Sequence, residues 1–343
     1  MLLLCYPLCM PRKARIDAPG ALHHIICRGI AKSKIFIDEK DRLSFLKRLD
    51  KILTDTSTPC YSWALMPNHF HLLLRTGIVP ISTVMRKLLT GYAIYHNHRH
   101  DRQGHLFQNR YKSILCQENT YLLELVRYIH LNPLRGKLVK DLYHLDKYPY
   151  CGHSTILGNT KNSWQKVDKI LRLFHDKRYL ARRHYRDFVK KGIAQGRRPD
   201  LIGGGLVRSA GGWSVLISMR QAKNYQKGDE RILGDGDFVE QTLKAANEAM
   251  ERKSALRARG IDLDKIANRV ANLLKMDTAE VWASGRYRHI VKARSLLCFW
   301  AVRELDTSMA SLSKMMNISI PAVSKSVARG EKIAREMNYN LLG

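Results

Sequence analysis

No apolar run in the sequence approaches the roughly 18 to 20 residues of a membrane-spanning helix, which excludes an integral helical membrane protein. Acidic residues are scarce. The 30 Asp and Glu stand against 59 Lys and Arg, a formal net charge of +29 that a folded chain carries most easily against a polyanion, so nucleic acid is the leading partner class and no membrane partner is expected. No CxxC pair occurs among the seven cysteines (Cys5, Cys9, Cys27, Cys60, Cys116, Cys151 and Cys298). Their odd number and scatter imply neither a disulfide framework nor a zinc ribbon, and the expected setting is a reducing cytoplasm. The opening MLLLCYPLCM lacks a basic n-region and is broken by Pro7, so it reads poorly as a signal peptide, and translation is expected to begin at Met10. What is present is ordinary globular material: 343 residues, 45% hydrophobic and 26% charged, enough for about two domains.

From Pro11 to about Tyr150, short β-like runs (HHIICRGI, YSWALMP, FHLLLR) alternate with helical patterns (DRLSFLKRLDKIL, ISTVMRKLLTGYAIYHNH), as in an α/β or α+β unit. A basic stretch from Trp164 to about Arg198 carries apolar residues at helical spacing. The glycine-rich segment Leu201 to Trp213 marks a boundary or linker, and the chain after it is helical in pattern. The expected organisation is a first domain over 11–158, a basic helical connector over 159–262 and a helical domain over 263–343.

The segment Trp63 to Arg75 (WALMPNHFHLLLR) contains two histidines two residues apart. Side chains alternate along a strand, so His69 and His71 share one face while Phe70, Leu72 and Leu74 point to the other. Two imidazoles so placed can hold one divalent ion, and imidazole suits Mn²⁺, Ni²⁺ or Zn²⁺ better than Mg²⁺. The competing reading is a pair of polar residues on the solvated face of an edge strand. A second segment, ENTYLLELVRYIHLNPLRG (Glu118 to Gly136), carries a helical apolar stripe of Leu122, Leu125, Val126 and Ile129, with Pro133 and Gly136 as its stop. Tyr128 and Asn132 lie one turn apart on one face, positions for a nucleophile and an oxygen ligand. The plainer alternative is a tyrosine against the core beside an asparagine that ends the helix.

MPNHFHLLLR followed by RYIHLNPLRG resembles the single-tyrosine HUH transposases, specifically the REP-associated tyrosine transposases, and LFQNRYKSIL (Leu106 to Leu115) and ARIDAPGALHHIICRGI are similar to the same family. The likeness spans about Pro11 to Gly158. It implies an α+β, ferredoxin-like domain whose central antiparallel sheet carries the histidine pair. It also implies His69 and His71 as ligands of a divalent metal ion (Mg or Mn), Asn132 as a third ligand and Tyr128 as the nucleophile. The implied reaction is metal-dependent nicking and strand transfer of single-stranded DNA beside a hairpin or palindrome, through a 5′-phosphotyrosine. Of the cations beside these segments (Arg28, Arg75, Arg110, Lys112, Arg135), Arg110 and Lys112 are the expected phosphate contacts. Tyr92, Tyr95 and Tyr111 read either as stacking platforms or as core. Related enzymes act as monomers or dimers, so a homo-oligomer is allowed.

Near the C-terminus, Ser308 to Met316, a turn at Asn317 to Ser319 and Pro321 to Ile333 have helix-turn-helix length. Val323 and Val327 are expected inside, with Ser324, Lys325, Arg329 and Lys332 outside. Residues Ala279 to Met337 resemble the DNA-binding domain of the bacterial chromosomal replication initiator, which implies duplex contacts through Ser324, Lys325 and Arg329. Two other functions fit the charge: a non-enzymatic DNA-binding regulator derived from a transposase, and an RNA-directed nuclease or processing factor. A ribose at the cleavage site separates the latter, because a tyrosine nucleophile does not need the 2′-hydroxyl.

Overall fold

The computed structural model describes residues 15–77, 79–196, 198–202 and 229–342. Met10, Cys5, Cys9 and all but the first two residues of the glycine-rich segment lie outside them. The elements of the first half are β1 (Leu22–Arg28), α1 (Glu39–Thr56), β2 (Cys60–Met66), β3 (His69–Arg75), α2 (Ile81–Arg99), β4 (Lys112–Cys116) and α3 (Glu118–Arg135). Strands β2-β3-β1-β4 lie side by side in that order, each antiparallel to its neighbours, which is the ferredoxin-like β-α-β-β-α-β arrangement. A two-residue strand, β5 (Ile232–Leu233), pairs parallel to the outer edge of β4 and makes the sheet mixed rather than purely antiparallel. It covers an edge that would otherwise expose unpaired backbone groups.

Burial follows from the alternation of side chains. Ile25, Cys27, Trp63, Leu65, Phe70, Leu72 and Leu74 line one face of the sheet and pack with Phe45 and Leu49 of α1 and Val84, Leu88 and Tyr92 of α2. Tyr92 is core and its hydroxyl donates to the Ile35 carbonyl at 2.5 Å; Tyr111 is buried beneath the Arg15 guanidinium. Helix α1 starts at Asp38, whose carboxylate accepts from the Asp41 backbone N–H, an N-cap that satisfies one orphan donor.

The opposite face (Ala64, Leu73, Ile114, Cys116) is covered by α3 through Leu122, Leu125, Val126 and Ile129, the stripe expected from the sequence. Helix α3 runs on through Pro133 to Arg135 and stops at Gly136. The proline sits in its last turn, so the helix is one turn longer than the Pro133 stop suggested. The short helices α4 (Leu142–Lys147), α5 (Gly152–Leu157) and α6 (Val167–Leu171) and the longer α7 (Arg178–Lys191) wrap around α3, and Ile170, Leu171, Tyr185 and Val189 join its core.

A buried polar chain ties these helices together. The Tyr185 hydroxyl lies 2.7 Å from both His130 Nδ1 and His153 Nδ1, while His153 Nε2 donates to Asp146 at 2.9 Å and the Arg186 Nε–H donates to the same carboxylate at 2.8 Å. With His153 bound to Asp146 through Nε2–H, its Nδ1 accepts the Tyr185 proton and the phenolic oxygen accepts from His130. Since His130 is two residues from Tyr128, this chain fixes the height of α3 over the sheet.

The remainder is helical: α8 (Gly236–Ala258), α9 (Leu263–Leu274), α10 (Thr278–Trp282), α11 (Arg288–Arg303), α12 (Met309–Met315) and α13 (Ile320–Glu336). Ser308 and Ser319 cap α12 and α13 through their hydroxyls. A Cβ at Gly330 would stand 2.0 Å from the Ser295 carbonyl oxygen, so only glycine permits α13 to approach α11 so closely. Val323 and Val327 are inside and Lys325, Arg329 and Lys332 outside as expected, but Ser324 is buried, which corrects its placement among the exposed duplex contacts. Among the described residues no helix is long and apolar enough to cross a membrane.

Candidate active site

The register of β1 against β3 assembles the site. His71 lies opposite Ile26, His69 opposite Arg28 and His24 opposite Leu73, so His24, His69 and His71 all face α3. Strand β3 is internal and its histidine face is covered, which removes the solvated edge-strand reading: His71 is 3% exposed. Tyr128, also largely buried, presents its ring edge-on to both His24 and His71, with centroid separations of 5.9 Å in each case. The His69 and His71 ring centroids are 5.2 Å apart. The tyrosine and the histidine pair, 57 residues apart in sequence, thus meet across one sheet–helix interface.

Both imidazoles are held by the same ring nitrogen. His69 Nδ1 donates to Asn68 Oδ1 at 2.7 Å, and His71 Nδ1 is 3.0 Å from His24 Nε2. Each ring therefore keeps its Nε2 outside these bonds. Burial pushes the His69 pKa down to about 4, with Arg28 adding to the effect, and drives His71 well below its ordinary value, with the neighbouring His24 contributing. Near neutral pH both rings are uncharged, the form in which imidazole ligates a metal. Burial raises the Tyr128 pKa, opposed by Arg135 and Arg28. Arg135 reaches Tyr128 because α3 continues past Pro133, which places its guanidinium 5.6 Å from the ring centroid.

Asn132 lies one turn after Tyr128 on α3; its side-chain Nδ2 is buried with no hydrogen-bond partner. Two imidazole nitrogens and an amide oxygen are a donor set that fits a divalent first-row ion. Arg110 is exposed beside β4, and Lys112, opposite Ile26 on the α3 side, donates to the Ile202 carbonyl at 2.8 Å. Arg75 is committed to an ion pair with Glu118.

Sequence reasoning had not assigned a role to His24 or Asn68. His24 was visible only as part of an HH doublet, and its placement depends on the β1–β3 register. A cleft of about 820 Å³ beside β2 was also missed; Lys161, Lys166, Lys169, Arg178 and Arg182 contribute to its lining. All of these but Lys161 come from the segment that read simply as basic helix.

Residues 19–132 match the family model described as "Transposase IS200 like". Over that segment, about a third of its length, the chain is similar to IS200-like transposases. The matched segment contains His24, His69, His71, Tyr128 and Asn132 and ends before the helical C-terminal region, so the likeness of 279–337 to the replication initiator has no counterpart in it. Among solved structures, the REP-associated tyrosine transposase bound to a REP hairpin is similar at 15% identity and a TM-score of 0.36, over 46% of this chain and 98% of that one. No curated protein matches the chain.

Proposed function

We propose that the protein nicks and rejoins single-stranded DNA at hairpin or palindromic sites, with Tyr128 as nucleophile beside a divalent ion held by His69 and His71. The observation that carries this reading is the convergence of the Tyr128 ring with the histidine pair, 5.9 Å from His71. Asn132, one turn from the nucleophile, is the third ligand. When bound, a divalent ion polarises a non-bridging oxygen of the scissile phosphate and stabilises the charge that develops there.

The chain's residues do the rest. His71 Nδ1–H donates to His24 Nε2 and His69 Nδ1–H to Asn68, so both rings present a bare Nε2; His24 and Asn68 are positioning residues. Tyr128 rests as the phenol, because burial outweighs the two arginines. In the reaction its oxygen bonds to phosphorus as its proton is given up, the bond from phosphorus to the 3′ oxygen breaks, and that oxygen leaves as a 3′-hydroxyl after taking up a proton. The product is a 5′-phosphotyrosine. Since the phosphoester is retained, a 3′-hydroxyl from another strand reverses the step and joins DNA without ATP. Arg110 and Lys112 follow the phosphates near the site, and Lys325 and Arg329, exposed on α13 of the domain expected over 263–343, contact duplex.

The test is to incubate a labelled hairpin oligonucleotide with protein and Mn²⁺ and resolve it by denaturing electrophoresis. A covalent adduct that disappears in Tyr128→Phe supports the enzyme. Hairpin binding with no adduct in the wild type sinks it and leaves a regulator that grips DNA.

A further inference from the structure

On the far side of the sheet from Tyr128, a second group of metal-type side chains gathers where α1 begins and α2 ends. Asp41 of α1, His96 of α2 and His100, which caps the C-terminal end of α2, place one ligand-type atom each within 4.8 Å of one another. His96 and His100 are four residues apart, so they share a helix face, and their ring centroids are 4.6 Å apart. Asp41 and His96 are wholly buried, whereas the His100 side chain is 17% exposed and leaves a route to solvent.

The arrangement is unfinished as it stands. His100 Nε2 donates to the Asp41 carboxylate at 3.0 Å, but neither ring nitrogen of the buried His96 has a hydrogen-bond partner. A wholly enclosed imidazole normally binds something through at least one nitrogen. Cations already stand here: Arg99 is bonded to the Asp41 carboxylate and lies 3.5 Å from His100 Nε2, and Arg102 acts on His96, so a bound ion must displace Arg99 from Asp41. Asp38 and Asp41 bring two carboxylates, and Arg99 is the one guanidinium bonded to them among the described residues. Arg99 grips Asp38 with both terminal nitrogens, at 2.7 and 2.5 Å, and so keeps a full partner when Asp41 turns to another ligand. Burial lowers the His96 pKa and keeps its ring neutral.

We propose that Asp41, His96 and His100 form a second divalent-cation site, of the zinc or cobalt class, that clamps the C-terminal end of α2 to the N-terminal end of α1. Two imidazoles and one carboxylate are a borderline-soft donor set that leaves a fourth position for water. The ion takes Nε2 of His100 as that ring changes tautomer, its proton passing through solvent to Nδ1, and gives the orphaned His96 its partner. Because no DNA chemistry enters, the site stands independently of the reading given for Tyr128.

The test uses the full chain with the first site emptied by His69→Ala/His71→Ala, titrated with Co²⁺ and followed by its visible absorption and by calorimetry. One equivalent is expected, displaced by Zn²⁺. Adding His96→Ala or His100→Gln is expected to weaken binding by more than the roughly 10 to 100-fold that loss of a mere supporting partner costs. Circular dichroism checks each fold, and the partly exposed His100→Gln decides the matter if His96→Ala does not fold. Absence of cobalt binding in the His69→Ala/His71→Ala protein, or binding unchanged by His100→Gln, overturns the proposal.

Discussion

Two histidine clusters sit on opposite faces of one sheet, and they differ in what stands beside them. On the α3 face, His24 and His71 meet the Tyr128 ring and His69 bonds the Asn68 side chain. On the α1/α2 face, His96 and His100 meet Asp41 and the Arg99 guanidinium, with the Tyr92 ring 6.0 Å from His96 but its hydroxyl spent on Ile35. In the proposed reading the first cluster pairs a tyrosine nucleophile with neutral ligands, whereas the second offers a charged ligand and a tyrosine whose hydroxyl is already bonded. Histidine count says little. Neighbours decide whether an imidazole cluster serves chemistry or cohesion.

The largest expected effect separates the faces directly. His71→Ala removes a ligand on the α3 face, and if the bound ion supplies about 4 kcal/mol of transition-state stabilisation, adduct formation falls roughly 10³-fold. The same variant leaves cobalt binding at Asp41, His96 and His100 intact. Next comes the support of the ligand. His24→Leu removes the acceptor for His71 Nδ1–H and is expected to weaken Mn²⁺ binding about 10 to 100-fold, while His24→Gln, which retains an acceptor, restores part of it. Calorimetric Mn²⁺ titration of the two variants reads this without any turnover. Equal affinities would show that His24 only fills space.

Much of the α3 face was legible in the sequence. The period-two alternation around His69 and His71 gave the strand and its buried face, and the stripe Leu122, Leu125, Val126, Ile129 gave the face of α3 that carries Tyr128 inward. His24 was not legible, because cross-strand register depends on the fold as a whole. Nor was the Asp41, His96 and His100 group, since Asp41 is 55 residues from His96 and nothing local marks the two helices as neighbours. Ser324 was placed wrongly because helical periodicity defines the centre of a buried face but not its width, and α13 buries Ser324 and Ser326 along with Val323 and Val327.

Both faces also carry buried neutral imidazoles, and this makes stability depend on pH. His69, His71, His130 and His96 all have folded pKa values lowered by burial. Below 6.5, the ordinary value, the unfolded chain binds protons that the folded chain refuses, so stability falls as pH drops; for His69 the loss continues to about pH 4. Each such group contributes up to about 1.4 kcal/mol per pH unit, measurable as urea midpoints at successive pH values. Saturating Mn²⁺ at neutral pH is expected to raise the midpoint, and far less in His69→Ala/His71→Ala than in the wild type. Tyr185→Phe, which breaks the chain from His130 to Asp146, is expected to cost about 1 to 3 kcal/mol and to lower adduct formation by loosening α3.

The smallest effects test which face meets DNA. Lys112→Ala removes a cation on the rim of the α3 side and Arg110→Ala an exposed one just before β4, and where such a cation neutralises a phosphate the variant should bind the hairpin a few-fold more weakly, with a salt slope shallower by roughly 0.7 to 0.9. Arg102, whose charge acts on His96 on the other face, is the control. If Arg102→Ala alters the salt slope as much as Lys112→Ala does, DNA wraps both faces and the contrast between them fails. If only the α3 rim responds, the second cluster lies outside the path of the strand, and a cation bound there acts on the fold alone.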